Sequence, residues 1–170
     1  ILSSRIDEIY FLAGQSSVTE SFENPHISLN SNVVGLLNIL KTIKDKRYKI
    51  RLFNAGSAQF YGDNKNYKYN LDSQIDPQSP YGISKAAAYW LVKMYREKYN
   101  ILCCTGILFN HESCLRSEEF VTKKIINISK KIKNNKKIKL RLGNINIYRD
   151  WGWAPEYVEA FWLMLQQKKS

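Results

Sequence analysis

Cysteine is scarce in this chain: three among 170 residues, two of them adjacent at Cys103 and Cys104. That is no disulfide framework, and a reducing cytoplasm suits such a chain best. The two histidines, His26 and His111, stand too far apart in sequence for zinc-ligand spacing, so no metal is expected. No apolar run reaches the roughly 20 residues that span a bilayer, and no signal peptide with a charged start and a small-residue cleavage site is visible. The eight glycines never fall in G-x-G-x-x-G spacing, so the dinucleotide phosphate-binding fingerprint is absent. Internal repeats and low-complexity linkers are absent too.

Acidic residues are also few, 15 against 26 lysines and arginines, for a net charge of +11. An anionic partner fits that balance, and a nucleotide sugar or a nucleic acid would both qualify. Between Val121 and Arg141 stand eight lysines and one arginine without an acid. No helix-turn-helix, zinc-finger or RNP-like motif accompanies them, so the stretch reads as a solvated helix face and nucleic acid is not expected as a partner.

What the chain does carry is a succession of short apolar runs and helical patterns, the mark of an α/β protein with a parallel sheet. Residues 8–14 read as a buried parallel strand closed by Gly14, followed by the small polar turn Gln15-Ser16-Ser17. Residues 28–46 have helical spacing at Leu29, Val33, Leu36, Leu37, Leu40 and Ile43, with Asn32 expected on the exposed side. Residues 49–55 form a second strand ending at Gly56-Ser57. A polar loop over 63–79 has the look of a flexible flap, and a helix runs from Pro80 to Tyr99. Residues 101–108 make a third strand, with Asn110 to Ser113 on the loop after it. A helix is expected over 120–134 and a strand at Ile138 to Leu140. A last helix over 155–167 should bury Tyr157, Val158, Phe161, Trp162 and Leu165. Length bounds the chain to one core. Ligands of open α/β sheets bind at the carboxyl ends of strands, where all three polar clusters lie.

The chemistry concentrates at Ser57 and at Tyr81-Gly82-Ile83-Ser84-Lys85. Tyr81 and Lys85, four apart on a helix, project from one face, and a cation beside a phenol favours the phenolate. That is how a tyrosine becomes a general base near neutral pH. Ser57, at the preceding strand's end, would complete a site for a substrate hydroxyl or carbonyl.

These residues resemble the extended short-chain dehydrogenase/reductase (NAD-dependent epimerase/dehydratase) family. Phe11 to Val18, Gly106 to Ser113 and Arg149-Asp150-Trp151-Gly152 resemble its GDP-mannose 4,6-dehydratase branch. The similarity runs from about Glu8 to Gln167. It implies a Rossmann-like doubly wound parallel sheet and an internal fragment, lacking the N-terminal Gly-rich βαβ unit and part of the C-terminal substrate lobe. Its second half of a dinucleotide-binding domain (about 1–110) would run into substrate-binding segments (about 110–170).

The resemblance also implies roles. Ser57, Tyr81 and Lys85 would be catalytic, with hydride transfer at C4 of a nucleotide sugar such as GDP-mannose. NADP is the implied cofactor, with NAD the alternative. Leu12, Ala13, Gly14, Gln15, Ser16, Tyr81, Lys85, His111 and Arg116 would line the cofactor, and Asn110, Glu112, Lys124 and Arg149 the substrate. A homodimer or higher homo-oligomer is implied as well. Cys114-Leu115-Arg116-Ser117 departs from the family's Pro-Arg-Arg-Gly, and one catalytic position departs as well. Gln59 stands where a catalytic Glu would remove the C5 proton, and a carboxamide has no oxygen basic enough for that step. Epimerase, reductase and a non-catalytic nucleotide-sugar-binding paralogue therefore stand as alternatives.

Overall fold

The computed structural model describes residues 6–62 and 68–168. It divides into two compact units: one runs to Leu108 and resumes from Ala160, and the other is Phe109–Glu159.

The first unit is a Rossmann-like α/β layer. Strands β1 (Glu8–Phe11), β2 (Arg51–Ala55) and β3 (Cys103–Gly106) form a parallel sheet in the order β1-β2-β3. The register pairs Phe11 with Asn54 and Ala55 with Gly106. Parallel neighbours need long crossovers. Helices supply them: α1 (Val18–Glu23), α2 (Pro25–Leu29), a π-helical turn over Asn30–Val34 and α3 (Gly35–Lys46) precede β2, and α4 (Pro80–Tyr99) precedes β3.

On one side of the sheet, Leu36, Leu40 and Ile43 of α3 and Ala88, Val92 and Tyr95 of α4 bury against Leu52, Cys103 and Phe11. Truncating a fully buried leucine such as Leu40 in such a core typically costs about 2–5 kcal/mol. The other side is covered from residue 160 onward by the end of α6 (Ala154–Leu165), where Phe161 stacks on Phe53 at 4.3 Å. Gln166 donates to Glu8 there at 2.8 Å.

The helix over 80–99 forms with the expected ends. Ser79 caps it, accepting from the Gly82 N–H, and Pro80 occupies the first turn, where its missing N–H costs nothing. Other expectations need correction. β1 is parallel but only Phe11 is buried, because the strand is an edge of the described sheet. Asn32 is not exposed but 1% accessible. The π turn lets positions 28, 32, 36 and 40 all face inward, while Leu29 is exposed. Val158 and Trp162 are exposed, leaving Phe161 and Leu165 as the buried residues of α6. Of the expected flap, 63–67 lie outside the described residues. The part from 68 to 79 packs rather than floats: Tyr69 stacks on Tyr61 at 4.9 Å, and the Asp76 N–H donates to the Phe60 carbonyl at 2.9 Å.

In the second unit Asn110 to Glu112 is not loop but a strand, β4 (Asn110–Glu112), parallel to β5 (Trp151–Trp153). Its partner lies some forty residues further along the chain, where no local pattern announces it. α5 (Val121–Asn134) lies between them. Ile138 to Leu140 form no strand; their backbone has no ladder to join.

Candidate functional site

In the first unit, β2 ends at Ala55 and the backbone turns at Gly56, where any Cβ would come within 2.6 Å of the Thr105 methyl. Ser57 follows, buried, in extended backbone, capping a 3₁₀ turn over Ala58–Tyr61. Its Oγ accepts from the Gln59 N–H at 3.2 Å. Gln59 is half-buried, and its carbonyl oxygen lies against Gly82, where an added Cβ would sit 2.7 Å away. This close approach docks the first turn of α4 on the turn that carries Ser57.

Tyr81 and Lys85 stand on that part of α4, both buried. Lys85 Nζ lies 5.7 Å from the Tyr81 ring centroid and donates to the Ala55 carbonyl at 2.9 Å. Burial pushes its pKa down from 10.5 to about 8, because desolvation penalises the ammonium. At neutral pH Lys85 is therefore still a cation, but one that titrates just above the physiological range.

The segment after β1 stands at the carboxyl edge of the same sheet. Leu12, Ala13, Gly14 and Ser16 are exposed, and Gln15 is half-buried. Gly14 has φ +144°, and a Cβ there would meet Asn32 Oδ1 at 2.1 Å. Asn32 Nδ2 donates to the Gln15 carbonyl at 3.1 Å and to Ser84 Oγ at 3.2 Å. Asn32 Oδ1 is buried without a hydrogen-bond partner. On sequence alone Asn32 reads as exposed, and Ser79 and Ser84 carry no role. Ser79 before Pro80 is a helix-cap signature. The four-residue spacing Ser28-Asn32-Leu36-Leu40 was the available signal for an inward Asn.

The second unit holds the remaining candidates, with these contacts among themselves. His111 Nδ1 lies 2.9 Å from the Phe109 carbonyl, and its ring stacks on Tyr157 at 4.7 Å. Glu112 Oε2 accepts from Thr122 Oγ1 at 2.7 Å and pairs with Arg116 Nε at 3.1 Å. The Arg116 guanidinium also lies 3.3 Å above the Phe120 ring. Asn110 is half-buried beside them in β4. Lys124 is exposed on α5, where the neighbouring Lys123 donates to the Cys114 carbonyl at 2.8 Å. Arg149 is exposed and donates to the Tyr148 carbonyl rather than to Asp150.

A strand-end hydroxyl, a phenol at a helix start and a buried ammonium one turn later can bind a hydroxyl or carbonyl and move its proton. Comparison with solved structures agrees with the fold. The Pseudomonas aeruginosa RMD, solved with NADPH, superposes with a TM-score of 0.83 at 24% identity, over 96% of this chain and 57% of that one. A dTDP-glucose 4,6-dehydratase from Streptomyces venezuelae, solved with NAD, gives 0.83 at 20% identity, over 96% and 49%. In sequence, GDP-mannose 4,6 dehydratase 1 of Arabidopsis thaliana is 44% identical over 167 residues, covering 96% of this chain and 46% of the relative. The GDP-mannose 4,6-dehydratase of Sinorhizobium fredii is 42% identical over 164 residues, covering 95% and 47%. The chain thus spans about half the length of these curated relatives. A family profile described as GDP-mannose 4,6 dehydratase matches residues 1–170, and the chain belongs to that family.

Proposed function

We propose that this chain belongs to an enzyme that modifies a nucleotide sugar by transient oxidation at C4, most like a GDP-mannose 4,6-dehydratase and working in the cytoplasm. The observation that carries the reading is the placement of Ser57, Tyr81 and Lys85 on two docked elements at the carboxyl edge of a parallel sheet. The names of the relatives point to GDP-mannose as substrate.

A nicotinamide, NADP or alternatively NAD, supplies a hydride acceptor when bound. The residues present fit it. Leu12, Ala13 and Ser16 are exposed around a glycine that tolerates no side chain, and Lys85 offers a cation beside Tyr81. Tyr81 takes the proton of the sugar 4-hydroxyl, Ser57 donates to that oxygen, and the Lys85 charge favours the phenolate. In the second unit His111 is proposed toward the cofactor, and Asn110, Lys124 and Arg149 toward the substrate's diphosphate and base. Glu112 and Arg116 act there as a pair.

Gln59 favours a second reading, because dehydration also needs a base for the C5 proton and a carboxamide is not one. An epimerase, a reductase or a binding paralogue would keep the Ser57, Tyr81 and Lys85 arrangement without that base. Mass spectrometry of GDP-mannose incubated with full-length protein and NADP separates these. Loss of one water, abolished by Tyr81→Phe, supports dehydration. If wild type is inert and Gln59→Glu yields the dehydrated sugar, the dehydratase reading fails for the natural protein.

A further inference from the structure

Resting on that reading of Tyr81, we infer that Ser84 is a positioning residue: with Ser79 it clamps the peptide that follows Tyr81, and through Asn32 it ties that peptide to the loop at Gln15.

Ser84 is completely buried inside α4. A serine within a helix is no better than neutral for stability, since its hydroxyl competes for backbone groups. A buried hydroxyl must also find partners. Here it finds two. Ser84 Oγ donates to the Tyr81 carbonyl at 2.7 Å and accepts from Asn32 Nδ2 at 3.2 Å.

The Tyr81 carbonyl and the Gly82 N–H belong to one peptide group. Its N–H donates to Ser79 Oγ at 3.0 Å while its C=O accepts from Ser84. Both ends are fixed by side chains that are themselves buried. The third restraint is steric: Gly82 rests on the Gln59 carbonyl, so the turn cannot move toward the Ser57 loop. A peptide plane held at both ends sets the Cα–Cβ direction of the preceding residue. For Tyr81 that direction decides where the phenol oxygen lies relative to Ser57.

Asn32 extends the restraint. Its single amide group donates both to Ser84 and to the Gln15 carbonyl. The first turn of α4 and the loop after β1, proposed above to hold the proton acceptor and the cofactor, are thus joined by one side chain. Its inward direction comes from the π turn, a distortion that tends to occur at functional sites. Displacing a reacting group by about 1 Å can cost on the order of a hundredfold in rate.

The test compares Ser84→Ala, Ser84→Thr and Ser79→Ala in the full-length protein, by hydrogen exchange of α4 amides and by steady-state kinetics with GDP-mannose and NADP. Ser84→Ala is expected to speed exchange at Gly82 to Lys85. It should lower kcat by about 10–100-fold while KM for the sugar stays within about twofold, with partial rescue by Thr. Ser79→Ala, at a site 7% exposed, reports on the other end of the same peptide if the Ser84 variants do not fold. Unchanged exchange in the first turn of α4 overturns the clamp whatever the activity. Faster exchange with unchanged kcat overturns the positioning role. If wild type shows no nicotinamide-dependent turnover at all, the proposed function fails, and the exchange data still decide the clamp.

Discussion

Lys85 Nζ donates to the Ala55 carbonyl at 2.9 Å, so the ammonium that faces Tyr81 is also the tie between α4 and the last residue of β2. That geometry places a charge in a buried setting, and burial alone accounts for its lowered pKa of about 8. The folded state therefore binds the lysine's proton less readily than the unfolded chain does. Its penalty is full below pH 8, shrinks as pH rises, and is gone above about 10.5. Lys85→Met should abolish turnover yet stabilise the fold at pH 7. The relieved charge is worth at most about 3 kcal/mol, less about 1 for the hydrogen bond lost to Ala55. Denaturant midpoints for both proteins at pH 7 and pH 10.5 check this. A variant less stable than wild type at pH 7, or an equal gain at both pH values, would sink the idea.

Gly14 should be irreplaceable for a different reason. At φ +144° an L-residue is strained, and its Cβ would drive into Asn32 Oδ1. Gly14→Ala is expected to cost about 2–3 kcal/mol and to weaken NADP binding, because the Gln15 carbonyl must leave Asn32. Gly143 is the control, since nothing lies within 4 Å of an added Cβ there. Gly143→Ala should stay within about 0.5 kcal/mol of wild type. Thermal melts and fluorescence titration with NADPH compare the two; equal effects would refute the argument.

These two positions also mark how far sequence reasoning reached. The helix from Pro80 to Tyr99 was legible because a first-turn proline and a run of helix formers both act locally. Tyr81 and Lys85 were placed at a helix start by the same signals, and Ser57 at a strand end by the apolar run over 49–55 that closes at Gly56. The inward turn of Asn32 had one faint signal, the four-residue spacing Ser28-Asn32-Leu36-Leu40, which an α-helical reading hides because one π turn shifts the phase of the helix. Nor was β4, whose partner Trp151 to Trp153 lies far along the chain. At Ile138 to Leu140 the opposite occurred: strand-like residues stayed irregular for want of a neighbouring strand.

In the second unit, Glu112 and Arg116 are partners before they are ligand contacts. Their pair is partly shielded, and the guanidinium also covers Phe120. Glu112→Gln and Arg116→Lys should each destabilise by about 1 kcal/mol, and the double mutant by less than the sum, with a coupling near 0.5–1 kcal/mol. Lys keeps the charge but lacks the planar group that stacks on the ring. Additive effects in a denaturation cycle would show that the two side chains act independently.

The outward face of α4 carries the expectation of a homo-oligomer. Ile83, Trp90 and Met94, spaced seven and four apart, are 49%, 50% and 38% exposed, and this stripe lies opposite the face buried in the core. Seven-and-four spacing is that of a helix seam packing against another helix. Lys93 Nζ, 5.2 Å from the Trp90 ring centroid, edges the stripe with charge. Buried aromatic anchors dominate interface energies, so Trp90→Glu should weaken self-association by at least about 100-fold, some 3 kcal/mol. Because Trp90 faces away from the core, the fold should persist. Sedimentation velocity of the full-length protein reads the outcome. A monomeric wild type, or a Trp90→Glu variant that still associates at micromolar concentration, would show that this stripe is not where copies of the protein meet.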